Sequence, residues 1–216
     1  MVIGTLHLGQ PLKAWRSFLG WRKSWFSREL IAFGVFISAL ALHVAILHPL
    51  SSILATSLGL VAVGCSAMIY VDTRRPFWNA PMTFGKFFGT TLLLGGAGAM
   101  VFGNSHVAIS VVMFGTVVKL AAENRVFRFL VDEQSPHLDA LNKSALLLTG
   151  RFGFSSRSRT VCGVIGGIIL PLFTFANSPA PVLACSVLVL CLAGELIERH
   201  LFFVAEVAPK MPGGAA

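Results

Sequence analysis

Six apolar stretches are joined by links that alternate between charge-free and charged, and this alternation constrains the chain more than any other feature. About 20 apolar residues cross the hydrocarbon core as a helix. The stretches lie near 30–49, 53–71, 84–103, 106–122, 160–177 and 181–203. Three links, HPLSS, GNSH and ANSPAP, contain no Lys, Arg, Asp or Glu. Charge collects everywhere else. Lys13, Arg16, Arg22, Lys23 and Arg28 precede the first stretch, and Arg74, Arg75 and Lys86 surround the second link. Arg125, Arg128, Lys143, Arg151, Arg157 and Arg159 fill the long fourth link, and Arg199 and Lys210 close the chain. If every stretch crosses the membrane, all of these fall on one side, and the positive-inside rule makes that side cytoplasmic. Both termini then lie there, as an even number of spans requires. The expected fold is all-α, a polytopic transmembrane bundle of about six spans.

Composition agrees. The 216 residues are 55% hydrophobic and only 12% charged, where a soluble domain carries about a quarter charged residues. Mean hydropathy is +0.78. The formal net charge of +8 is accounted for by the topology and gives no reason to expect nucleic acid. Cys65, Cys162, Cys185 and Cys191 all sit in apolar runs without a CxxC pair. They read as small buried hydrophobes, not as ligands of zinc, an iron–sulfur cluster or covalent haem. The opening MVIGTL is too short for the apolar core of a cleavable signal.

Four segments follow: an interfacial lead-in over 1–29, four spans over 30–122, a cytoplasmic loop over 123–159, and two spans with a tail over 160–216. Loops longer than about 15 residues are usually functional or disordered. Within this one, PHLDALNKSALLL has the pattern of a short amphipathic helix at the interface. It reads either as part of a solvated loop or as a docking surface.

Ionisable residues near membrane depth are costly and tend to be functional. Glu29 opens the first span, where an acidic side chain in the first turn meets the helix dipole favourably. Trp15, Trp21 and Trp25, interleaved with Lys13, Arg16, Arg22 and Lys23, suit a headgroup-level segment holding that span. His7 reads from this chain alone as an interfacial histidine. Glu195 and Arg199, four apart in GELIERHLFF, stand in the favourable order for an ion pair. Tyr70, Arg74, Arg75, Trp78 and Asn79 form a second cluster around a rigid turn set by Pro76 and Pro81. Lys119 has a stem long enough to snorkel to water. Of His43, His48 and His106, only His43 has appreciable depth, which disfavours a membrane haem with two facing ligands. Gly85, Gly89, Gly95, Gly96 and Gly98 suit close helix packing.

The stretch HLGQPLKAWRSFLGWRKSWFSRE, from His7 to Glu29, resembles the membrane anchor subunit family of dimethyl sulfoxide reductases. HLGQP, KAW and FSRE carry the resemblance. YVDTRRPFWNAPMTFGKFFGTTLLLG and LAGELIERHLFF extend it nearly to the C-terminus. The resemblance implies a complex of a molybdopterin catalytic subunit, an iron–sulfur subunit and a metal-free anchor that binds menaquinol. It places quinol binding and proton relay on His7 and Glu29; Arg28, Tyr70, Trp78, Asn79, Glu195 and Arg199, from the polar clusters at the charged ends, are candidate supporting residues. The chemistry suits these types: a neutral imidazole accepts a quinol proton, with an ordinary pKa of about 6.5, and a carboxylate passes it on. Family members usually carry further spans before the His-Leu-Gly block, about eight in all. MVIGTL reads as the tail of such a span, so upstream helices are expected to be truncated or supplied by another chain.

Other readings compete. Electron flow runs backwards if the catalytic partner oxidises its substrate, as a formate dehydrogenase does. A relative in the wider polysulfide reductase membrane-subunit group fits the same residues. A transporter would place charges at the midplane, whereas these sit at the cytoplasmic ends. A non-redox scaffold would dock its partner through 123–159.

Overall fold

The computed structural model describes residues 16–103, 106–130, 140–176 and 181–207. Among them the structure is all helical: α1 (Arg16–Leu19), α2 (Trp25–Ile46), α3 (Pro49–Val71), α4 (Ala80–Phe102), α5 (His106–Asn124), α6 (Ala140–Thr149), α7 (Gly153–Val164), α8 (Leu170–Ala176) and α9 (Pro181–Val204). Short 3₁₀ turns cover Pro76–Trp78 and Arg125–Phe129, and a π-helical turn, Ile165–Ile169, joins α7 to α8. Six helical segments are long and apolar enough to cross a membrane: Trp25–Ile46, Pro49–Val71, Ala80–Phe102, His106–Phe129, Gly153–Phe175 and Pro181–Val204. The expected six spans are all present. Four begin earlier than their apolar runs, at Trp25, Pro49, Ala80 and Gly153, because capping, turn and polar residues at the membrane surface continue the helix.

The chain divides into two compact units, Met1–Asp72 and Thr73–Ala216. The first contains the hairpin α2–α3. Leu47 closes α2 in the left-handed region (φ 52°), its N–H returning to the His43 carbonyl. Pro49 then opens α3, and His48 caps it by accepting the Leu50 N–H through Nδ1 at 3.2 Å. Ser51 Oγ donates to the His48 carbonyl at 2.7 Å. With that proton committed, His43 Nδ1 is the donor to Ser51 Oγ at 3.0 Å. Both histidines thus build the charge-free turn. The buried residues of the hairpin are small: Ser27 and Ala39 on α2, and Ala55, Ala62 and Ala67 on α3. Large apolar side chains such as Ile37, Val44, Ile53 and Val61 face outward. That inversion suits an apolar solvent, in which helices meet through small residues.

In the second unit α4 packs along α5, and α9 packs against both α4 and α7. Glycines set the α4–α5 approach. A Cβ on Gly85 would lie 2.6 Å from the Ala122 Cβ, one on Gly89 2.9 Å from the Lys119 Cβ, and one on Gly96 2.9 Å from Val112. Gly95 and Gly98 face open space, so the expected packing role holds for only part of the set. Towards the charge-free links the interior is apolar, with Leu93, Met100, Ile109, Val112 and Val187 at its centre.

The π-helical turn has an identifiable cause. Pro171 has no N–H to return to the Gly167 carbonyl four residues earlier. That carbonyl instead lies 3.3 Å from the Thr116 hydroxyl, which also bonds Val112 O at 2.7 Å. A neighbouring helix thereby satisfies the freed group, as a lipid environment demands. The amphipathic segment expected in the long link is helical over Ala140–Thr149 and buries Asn142, Ser144, Ala145 and Leu148. It packs against the two 3₁₀ turns. Cys191 is buried, Cys65 and Cys162 partly so, and Cys185 is exposed. The expectation of four buried cysteines is corrected accordingly: Cys185 lies on the outer, lipid-suited face of its span.

Candidate functional site

At the charged end of the hairpin a carboxylate is held in place. Glu29 accepts a hydrogen bond of 2.5 Å from the Ser66 hydroxyl of α3. α2 begins at Trp25, and its first turn contains no acidic residue. The dipole reading of Glu29 is therefore corrected: this carboxylate is fixed by a cross-helix bond, not by the helix terminus. Arg28 points back along the chain. Its Nε and Nη2 donate to the carbonyls of Trp21 and Arg22 at 2.9 and 3.0 Å. Its guanidinium lies 4.2 Å from the Trp25 ring centroid. Arg28 thus ties the Gly20–Ser24 turn to α2 and leaves Glu29 without an arginine ion pair among the described residues. The pair Glu29–Ser66 joins two residues 37 apart in sequence, and no local spacing could have revealed Ser66.

The second unit buries charge on a larger scale. Lys119 Nζ bonds Glu195 and lies 3.2 Å from Glu123. Glu123 lies 3.4 Å from Arg159 Nε. The Thr90 hydroxyl donates to the second oxygen of Glu195 at 2.5 Å. Lys86 Nζ lies 3.2 Å from Glu198 and 4.7 Å from the Phe77 ring centroid. All six ionisable side chains are at most 8% exposed. Three cations face three anions, so the network is neutral in sum, the condition under which buried charge is tolerated. It connects α4, α5, α7 and α9. Gly89 makes it reachable, because the Lys119 stem lies against the α4 backbone where any side chain would stand. A cavity of about 10 Å³, lined by Thr116, Lys119, Glu123, Arg159, Cys191 and Glu195 among others, adjoins these groups. That is about the least space that can hold one water.

These contacts correct two sequence expectations. Glu195 pairs with Lys119 and Thr90 rather than with Arg199. Arg199 lies over the rings of Phe87 and Phe202, 4.4 and 5.5 Å from their centroids. The tertiary partners approach from other helices, and the i, i+4 neighbour turns to aromatic faces. Lys119 does not snorkel; it is 4% exposed, because buried carboxylates meet it inside. The signal available beforehand was sign balance: Lys86, Lys119 and Arg159 against Glu123, Glu195 and Glu198, all at the charged ends of apolar runs.

Trp78 and Asn79 shape the second link. Trp78 Nε1 donates to the Phe202 carbonyl at 3.0 Å, and its ring stacks on Phe202 at 5.5 Å with 20° between planes. Arg75 covers Trp78 at 4.9 Å and pairs with Glu206 at 2.5 Å. Asn79 caps α4, accepting the Met82 N–H at 3.1 Å and donating to Pro76 O at 2.9 Å. Tyr70 lies in the last turn of α3, in the first unit, half-buried. His7 lies outside the described residues.

Buried paired charge, small-residue helix contacts and a polar group at a helix end are what a membrane subunit needs, and the sequence places them in a family. Residues 1–204 match the family DMSO reductase anchor subunit (DmsC). The chain belongs to that family. A subunit of the sulfite dehydrogenase of Allochromatium vinosum is 25% identical, the similarity covering 94% of this chain and 78% of that protein. No solved structure matches. As a member of the family, the chain is a multi-pass membrane anchor of a molybdopterin oxidoreductase, associated with catalytic and electron-transfer subunits. Trp78, Asn79 and Glu195 make packing, capping and ion-pair contacts within the second unit, while the Glu29–Ser66 pair is a polar group presented at the charged end of its own helix pair.

Proposed function

We propose that this anchor binds menaquinol and passes its electrons to an iron–sulfur subunit beside a molybdopterin catalytic subunit. The observation that carries the reading is the Glu29 carboxylate, half-buried and oriented by Ser66, in the block that resembles the family's quinol segment. Oxidation of one quinol releases two electrons and two protons. The electrons leave to the partner. The protons remain for this chain's residues. His7, the histidine of the His-Leu-Gly block, takes a hydroxyl proton as a neutral imidazole. Glu29 receives it and releases it to the aqueous surface near the exposed Arg22 and Lys23. Ser66 holds the carboxylate in one orientation, and Arg28 fixes the aromatic lead-in over the helix end.

A second reading has its own support. The relative from Allochromatium vinosum belongs to a sulfite dehydrogenase by name, and a dehydrogenase yields electrons. In that direction the same residues deliver two protons to a quinone as two electrons arrive, and the anchor reduces its quinone.

Both directions need the same groups, so one experiment tests the site. In membranes carrying the whole complex, turnover of a menaquinol analogue is compared between wild type, His7→Ala and Glu29→Gln, with subunit retention measured alongside. The expected result is a loss of about 10²-fold or more in each variant with the complex still assembled, the range for removing a proton-transfer group. Unchanged turnover in both variants would remove the site from His7 and Glu29 and make a docking scaffold or a different quinol pocket the better reading.

A further inference from the structure

We propose that a groove at the charged ends of α4 and α5 binds an anionic phospholipid of the surrounding leaflet, with Arg125 and Arg128 holding its phosphate. The groove has a volume of about 400 Å³. Its apolar stem is lined by Pro81 and Gly85 from α4 and by Val118, Ala121 and Ala122 from α5. These side chains are small because the helices nearly touch here: a Cβ on Gly85 would fall 2.6 Å from that of Ala122. The stem therefore lies where the surface of a spanning helix meets acyl chains.

Its polar end is built differently. Arg125 and Arg128 complete the lining and belong to the 3₁₀ turn Arg125–Phe129. In a 3₁₀ helix residues three apart eclipse one another, so the two guanidiniums leave the same face. Val126 between them is 1% exposed and anchors the turn. Both arginines are exposed, and neither has an ion pair or hydrogen bond among the described residues, whereas Lys86, Lys119 and Arg159 all have carboxylate partners. Phe129 and Leu130 follow, each 43% exposed, which places the turn at the boundary between hydrocarbon and headgroups. Two guanidiniums that no carboxylate meets among the described residues, above a shallow apolar slot, fit one phosphate and one acyl chain on the same molecule. The net charge of the headgroup decides the class: a zwitterionic lipid brings its own cation and cancels part of the attraction, and an anionic one does not.

The test uses the full chain purified in detergent and titrated with phosphatidylglycerol or phosphatidylcholine, with bound lipid counted by native mass spectrometry. Each guanidinium at such a surface gives about a fivefold preference, so wild type is expected to favour phosphatidylglycerol roughly 25-fold. Arg125→Gln/Arg128→Gln should abolish that preference. Ala121 is exposed, and Ala121→Trp fills the stem, so this variant should lose the lipid with both arginines intact. Equal binding of the two lipids by wild type, or unchanged selectivity in either variant, overturns the proposal. Displacement of phosphatidylglycerol by equimolar glycerol 3-phosphate would reduce the site to a simple anion site and overturn it too. So would loss of a partner subunit from the complex of the arginine variant with its lipid selectivity unchanged, which would assign the face to a protein.

Discussion

Trp78 shows how a single side chain is held for shape. Its ring is buried between Phe202 and Phe203, and its one polar atom reaches the Phe202 carbonyl. Trp78→Phe keeps the stacking and removes the hydrogen bond. The expected cost is about 1–3 kcal/mol, because the buried carbonyl loses its donor, read as a lower midpoint in detergent unfolding. Glu29 contrasts with it. Its carboxylate is met across the hairpin by a single serine hydroxyl, so a substitution there should act on turnover far more than on stability. Measuring both quantities in Glu29→Gln separates a relay from a structural contact.

At the level of helices, two devices join the second unit. The first is close approach. Gly89→Leu drives a side chain into the Lys119 stem, where even a Cβ would meet backbone at 3.2 Å. Overpacking of this kind costs about 1–3 kcal/mol, and here it also pushes Lys119 away from Glu195. Gly95→Ala meets nothing within 4 Å and should stabilise α4 slightly, by about 0.5–1 kcal/mol. The two variants, compared by unfolding midpoint, should move in opposite directions. The second device is paired charge. Lys86→Met strands Glu198 between α4 and α9 and should cost about 3–5 kcal/mol, while Lys86→Met/Glu198→Leu should regain most of that loss. A double-mutant cycle reads the coupling directly. If the double variant were as unstable as the single one, the pair would not be the element that couples these helices.

For the whole molecule the decisive quantity is topology. If all six spans cross, every charged link belongs to one side by parity. Single cysteines at Arg74 and Lys143, in a background depleted of the native four, are expected to react with a membrane-impermeant maleimide only from the cytoplasmic face. Cysteines at His48 and Gly103 should react only from the opposite face. Labelling of Arg74→Cys and His48→Cys from the same side would show that α3 does not cross, and the six-span reading would fail. Membership of the anchor family adds that the charged or the uncharged face must receive the catalytic and electron-transfer subunits. The same labelling, repeated with the complex assembled, reports which face becomes protected.

Span number, all-helical class and family were determined by the sequence alone, and the alternation of charged and charge-free links is read from it too. Each depends on a one-dimensional quantity: the length of an apolar run, the charge of the link after it, or a contiguous block of residues. The rigid turn set by Pro76 and Pro81 belongs to the same kind, since a turn is local. What only the tertiary structure decided is which charges meet. Glu195 sits four residues from Arg199 yet pairs with Lys119, 76 residues away, because Gly89 lets α5 close on α4 and bring the amine inside. Glu29 finds Ser66, and the Gly167 carbonyl finds Thr116, for the same reason. In an apolar solvent every polar group must be met by protein, and the partner is whichever helix the small residues allow to come near. Spacing along the chain does not encode that distance.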